Sequence, residues 1–260
     1  MFRTRHDPST RPALSELRAW YRTPLGQALA AREQELLAQH LPDLFGYHLL
    51  ALDPPCPQEA LASSRISHIV LQSRSPCSGS EDCGLEGEAE RLPFCTDTLD
   101  AILLPHVLER SLNPHQVLRE VERCLVPEGH LLILGFNPHS WWGLWGLLAR
   151  WRHPVPWCLQ GIGPGRLRDW LSLLGFDTLR LIPLFHRPPL QSARALDRLV
   201  FLDRDGFGRF LLGGCYLLVA RKRVMTMTPL RPLLRTPKRL ITPGMAEPTR
   251  RGYGNCRRAG

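Results

Sequence analysis

The absences in this chain limit its chemistry before anything present does. Its eight cysteines stand singly, with no C-x-x-C and no recurring spacing, so neither a zinc framework nor a disulfide scaffold is expected. Cys77 and Cys83 bracket a Ser/Gly stretch and could pair, but free thiols in a reducing compartment are the plainer expectation. No run of about 18 apolar residues exists to span a bilayer. The opening MFRTRHDPSTRPALS carries charge without an apolar core, so no secretory leader is expected and a cytoplasmic location follows. Acid is nearly missing from residues 224–260, where eight Arg or Lys face Glu247 alone for a net of +7. Only +2 of the total +9 is therefore left for the rest of the chain, which is not an obvious nucleic-acid surface. This end is also poor in apolar residues and is read as a solvated basic tail that does not fold alone. Contact with nucleic acid or acidic lipid through counterion release is the alternative.

What is present suffices for one α/β core: 260 residues, 43% hydrophobic. The most informative run is Leu92–Asn137. Leu99–Leu104 has the length of a buried strand, and Pro105 ends it. Asn113-Pro114 starts a helix, since Asn caps free N–H groups and Pro already has first-turn geometry. Val117, Leu118, Val121 and Leu125 form its apolar stripe. Pro127-Glu128-Gly129 supplies a turn, with Gly129 the residue free to take positive φ. Leu131–Leu134 is a second continuously apolar strand. The unit is βαβ, with a right-handed crossover expected.

This run resembles class I S-adenosylmethionine (SAM)-dependent methyltransferases of the type 11, ubiquinone-biosynthesis-like group. The resemblance rests on Glu88-Ala89-Glu90-Arg91-Leu92-Pro93-Phe94, Leu99-Asp100, His106-Val107-Leu108-Glu109 and Arg123-Cys124-Leu125-Val126-Pro127-Glu128-Gly129, in order over about 50 residues. It implies a doubly wound, Rossmann-like α/β fold. The sheet would have seven mostly parallel strands, with helices on both faces and an antiparallel edge strand. It implies SAM as cofactor and direct in-line transfer of its methyl group to an acceptor the sequence does not reveal. Two departures stand against it. The family's glycine-rich loop after the first strand is replaced by Leu52-Asp53-Pro54-Pro55-Cys56-Pro57, whose prolines remove backbone donors. The acid that takes the ribose hydroxyls is replaced by Gln72, which accepts one hydrogen bond without the charge. A catalytically inactive, methyltransferase-like binding protein is the competing reading.

On the resemblance, Leu52, Asp53, Gln72, Glu88, Ala89 and Leu104 would hold the cofactor. Glu88 would accept from the adenine amino group and Ala89 would offer its N–H to the ring. Taken alone, Glu88 also reads as a solvated loop acid. His106 falls at the carboxyl edge of a strand, where such sheets bind ligands. It is the catalytic candidate, able to contact the sulfonium, orient an acceptor or act as general base, or else is a locally bonded helix-start histidine. His106-x-x-Glu109 lacks further ligands, so no metal site is expected. Tyr21, Asn137 and Trp141 are the acceptor-side candidates.

The remaining organisation is read as an N-terminal helical segment over 1–45, a methyltransferase-like domain over 46–223 and the tail over 224–260. Helices are expected at Ala13–Tyr21 and Gln27–His40, broken at Thr23–Gly26. Strands are expected at Gly46–Asp53 and Ser67–Gln72, followed by a Ser/Gly/acid-rich loop over Arg74–Gly87. A Trp-rich insertion over about 138–163 holds four Trp in eleven residues, Trp141 to Trp151. It could roof an acceptor pocket, lie on a membrane surface or simply pack on the core. A helix over Pro164–Leu174 ends at Gly175. The strands Phe176–Leu184 and Gly214–Arg221 complete the sheet as an antiparallel pair, with a helix expected between them in His186–Arg209.

Overall fold

Thr23 and Pro24 set the first structural feature. In the computed structural model, which describes residues 14–54, 61–73, 84–149, 161–189, 192–203 and 213–223, helix α1 (Leu14–Tyr21) is followed by α2 (Pro24–His40). Thr23 caps α2 by accepting from the Gly26 N–H, and Pro24 occupies the first turn. The break expected at Thr23–Gly26 is thus two residues, Arg22 and the Thr23 cap, and Pro24–Gly26 are already helical. A Thr-Pro pair starts a helix as well as it interrupts one.

The strands are β1 (His48–Leu52), β2 (His68–Ser73), β3 (Leu85–Glu86), β4 (Leu99–Pro105), β5 (Leu125–Phe136), β6 (Phe176–Leu184) and β7 (Cys215–Lys222). They form one sheet in the order β3-β2-β1-β4-β5-β7-β6. The run from β3 to β5 is parallel, and β7 lies antiparallel between β5 and β6. Leu85–Glu86 lies within the segment read as a loop: two residues pair beside Gln72 and Ser73, too few to leave a periodic signal. Pro127–Gly129 does not separate helix from strand as expected. Strand β5 already begins at Leu125, and these residues lie inside a register shift opposite Leu99–Ala101. Glu128, rather than Gly129, takes positive φ there, at 67°.

Among the described residues five further helices follow: α3 (Val107–Arg110), α4 (Pro114–Cys124), α5 (Trp141–Ala149), α6 (Pro164–Leu173) and α7 (Ala193–Arg198), the last preceding a 3-10 turn at Val200–Asp203. Alternate residues of the central strands face two cores. Leu49, Ala51, Ala101, Leu103, Leu132 and Leu134 pack with α1 and α2. Leu50, Ile102, Leu104, Leu131 and Ile133 pack with α4 and α6. Both faces are covered, which is why these strands read as unbroken apolar runs. The α1–α2 pair therefore shares its core with the sheet.

One glycine sets where the sheet begins. Gly46 has φ 153°, and a Cβ there would stand 2.3 Å from the Asp100 Cβ. That close approach lets the Asp100 carboxylate accept from the Tyr47 and His48 N–H groups at 2.8 and 2.9 Å, fastening the start of β1 to β4.

Candidate functional site

The carboxyl ends of β1, β2 and β4 lie together in such a sheet, and most of the sequence-derived candidates fall there. His106 follows β4 in the left-handed region, at φ 54°, and is fully buried. Its ring stacks on Phe136 with centroids 4.2 Å apart. Its Nε2 is 3.0 Å from Glu33 Oε1, and its Nδ1 is 3.1 Å from Glu109 Oε2. Tyr21 donates its hydroxyl to both Glu33 oxygens, at 3.2 and 3.0 Å, and the Phe136 N–H donates to Glu109. Burial by itself would push the imidazole pKa down. The Glu33 charge and the hydrogen bonds to Glu109 and Glu33 outweigh it and raise the pKa from 6.5 to about 9. At neutral pH the ring is an imidazolium giving one N–H to each carboxylate. In this arrangement it has no lone pair with which to take a proton.

Glu33 was not singled out in the sequence, although a signal existed. It interrupts the apolar stripe Leu25, Leu29, Leu36, Leu37 of α2, and a carboxylate in a buried stripe requires a partner.

At the end of β1, Leu52 is buried and Asp53 has φ 45°. The Asp53 N–H donates to the Gln72 carbonyl at 2.7 Å, and its carboxylate is 3.2 Å from Arg110 Nη2. Arg110 also donates from Nε to the His106 carbonyl, so it joins β1 to the turn after β4. Arg110 is a second residue that sequence reading passed over, one position beyond the His106–Glu109 motif. Residues 55–60, which hold Pro55, Cys56 and Pro57, lie outside the described residues, as do 74–83 with Cys77 and Cys83, and 224–260.

Whether SAM fits can be tested at the end of β2. Gln72 is 1% exposed, and its Nε2 donates to the Glu88 carbonyl at 3.3 Å. Its Oε1 has no hydrogen-bond partner among the described residues, and neither has the buried Ser73 Oγ. Two such buried polar atoms, at the strand end that the resemblance assigns to the ribose, are what a ligand bearing hydroxyls would complete. Gly87 makes room for this arrangement, because a Cβ there would come within 2.7 Å of Gln72 Nε2. Glu88 is exposed and Ala89 half-buried beside it. Arg123 holds the following segment by donating to the Leu92 and Phe94 carbonyls at 3.1 and 2.8 Å, while Glu120 accepts from the Leu92 N–H. Leu104 is fully buried in β4. These residues fit the adenosine part of SAM.

A cavity of about 650 Å³ opens between the start of α4 and the loops flanking the Trp-rich segment. It is lined by Leu108, His115, Asn137, His139, Arg166 and Trp170 among others, with no Asp or Glu. Asn137 is therefore at a cavity wall, its amide committed to the Gly213 carbonyl and the His139 N–H. Tyr21 and His106 form the buried cluster instead, and neither lines this cavity. Trp141 lies on the outside of α5, 62% exposed. Among the described residues no group of three or more side chains could hold a metal ion, and no helix is long and apolar enough to cross a membrane.

A methyltransferase-domain family matches residues 34–133, from α2 into β5. The uncharacterized protein YafS of Escherichia coli is 30% identical over 215 residues, covering 80% of this chain and 82% of that protein. Among solved structures, a SAM-dependent methyltransferase of Thermotoga maritima superposes with a TM-score of 0.62 at 16% identity, covering 81% of this chain and 96% of the other. A methyltransferase structure from Bacillus halodurans gives 0.53 at 15% identity, covering 74% and 99%. The chain belongs to one family with YafS, its residues 34–133 belong to the methyltransferase-domain family, and the sheet order with its reversed β7 is the class I SAM-dependent methyltransferase fold.

Proposed function

We propose that the chain transfers the methyl group of SAM directly to an acceptor at the carboxyl edge of the sheet. The observation that carries this reading is the pair of buried polar atoms at the end of β2, Gln72 Oε1 and Ser73 Oγ, which have no hydrogen-bond partner among the described residues. Bound there, SAM supplies a methyl group already activated on a sulfonium, so no nucleophilic side chain or metal is needed. Gln72 would accept from a ribose hydroxyl, Glu88 from the adenine amino group, and Ala89 would offer its N–H to the ring. Leu52, Asp53 and Leu104 would form the walls at the strand ends. Asn137 and the cavity it lines would receive the acceptor, with Tyr21 and Trp141 as further candidates. Within this reading His106 is a positioning residue. It retains its proton and, through Glu33, holds α2 and Tyr21 against the edge of the sheet, excluding water. The free thiols of Cys95, Cys124 and Cys215 support a cytoplasmic location.

A second reading, a binding protein without turnover, draws on the prolines after Asp53 and on the commitment of the Asp53 carboxylate to Arg110. Calorimetric titration with SAM and with S-adenosylhomocysteine tests the site common to both. Micromolar binding that Glu88→Ala weakens is the expected result. No heat and no thermal stabilisation at millimolar ligand would overturn it. With binding established, methyl release from labelled SAM over an acceptor panel separates enzyme from binder.

A further inference from the structure

Helix α5 shows its apolar side to solvent. From Trp141 to Ala149 it contains no polar side chain. Its inner side is fixed by Trp142, which is 3% exposed and donates from Nε1 to the Arg187 carbonyl at 2.9 Å. The Trp142 ring packs against Phe185, Phe136 and Trp20 at 5.3, 6.2 and 6.2 Å. With that side anchored, Trp141, Leu144 and Trp145 point outward at i, i+3 and i+4, exposed by 62, 58 and 47%. The usual outer face of a surface helix is polar. Two indoles flanking a leucine form a contiguous apolar face instead.

The stretch of sequence that contains α5 is charged one way only. Between Glu128 and Asp169 the sequence has no acidic residue, while Arg150, Arg152, Arg166 and Arg168 all fall within it. Indoles favour the interface between headgroup and acyl chain, and arginines beside them favour anionic headgroups. A nucleic-acid surface would interleave cations with the rings, and α5 has none.

We propose that α5 is a docking surface for an anionic lipid bilayer, with Trp141, Leu144 and Trp145 entering the headgroup region and the excess positive charge of the sequence that follows it favouring lipid phosphates. The segment carrying α5 leaves and rejoins the body at the cavity wall, through Pro138 and His139 on one side and Gly161–Gly163 on the other. Docking therefore brings the bilayer surface to the rim of that cavity.

The test is co-sedimentation of the full chain with vesicles of phosphatidylcholine alone and of phosphatidylcholine with one-quarter phosphatidylglycerol. We expect binding to the anionic vesicles, at most weak binding to the neutral ones, and a loss of about tenfold in partitioning for Trp141→Ala/Trp145→Ala. Both substituted residues are exposed, so the variant should keep the parent's thermal unfolding midpoint, which is measured alongside. Failure of the parent to bind, equal binding to both vesicles, or unchanged binding by the variant overturns the proposal. So does parent self-association that the variant abolishes without any vesicle binding, since the face would then join two copies of the chain.

Discussion

Glu33 on α2 and His106 after β4 meet at 3.0 Å, although 73 residues separate them in sequence. The contact is fully buried, and through Tyr21 and Glu109 it joins the N-terminal helices to the ends of β4 and β5. Glu33→Leu takes the buried acceptor away from His106 Nε2 and leaves the ring with Glu109 alone, so it should destabilise the fold by about 3 kcal/mol. Urea denaturation checks this; a loss below about 1 kcal/mol would show that the contact contributes little.

The same pair makes stability depend on pH. The His106 pKa is 6.5 when the ring is free of the fold and about 9 within it. Its contribution is therefore complete below about pH 6.5 and lost as pH rises through 9. The full span is on the order of 3 kcal/mol. Glu33→Gln removes the main raising charge, so its stability curve between pH 6.5 and 9.5 should be flatter than the parent's. Parallel curves would rule out this assignment.

Gln72→Leu should separate binding from folding. The buried Oε1 has no partner among the described residues, so the free protein loses only the Nε2 bond to the Glu88 carbonyl, about 1 kcal/mol, and its unfolding midpoint should stay within a few degrees of the parent's. SAM affinity should fall about tenfold, the value of one hydrogen bond. Unchanged affinity would remove Gln72 from the cofactor site.

The two sides of α5 predict opposite outcomes. Trp142→Ala opens a cavity in a fixed aromatic cluster and should cost about 3–5 kcal/mol. Trp141→Ala, one residue earlier and exposed, should change stability by less than about 0.5 kcal/mol. Thermal denaturation of both variants decides it; similar losses would mean that α5 packs differently.

The sheet was legible because both faces of its strands are covered. Leu99–Leu104 and Leu131–Leu134 read as continuous apolar runs for that reason, and Asn113-Pro114 marked α4 by local chemistry. Leu85–Glu86 was not legible, since two residues held only by pairing with Gln72 and Ser73 carry no period. The turn at Pro127–Gly129 was assigned to the wrong residue because the register shift places the strain on Glu128. In the site, motif spacing drew attention to His106 and Glu109. Glu33 and Arg110 act through contacts to distant segments and resemble ordinary helix residues locally. Glu33 alone left a trace, as the one charge in the buried stripe of α2.

The position of β7 between β5 and β6 also orders events during synthesis. β5 and β6 are made first, yet each pairs only with β7 on the sides they share. Until Cys215–Lys222 leaves the ribosome, β5 keeps one unpaired edge and β6 has no strand partner. The nascent chain is thus most open to mispairing just before its last strand arrives. The last of these strands to be made is the one that joins β6 to the rest of the sheet.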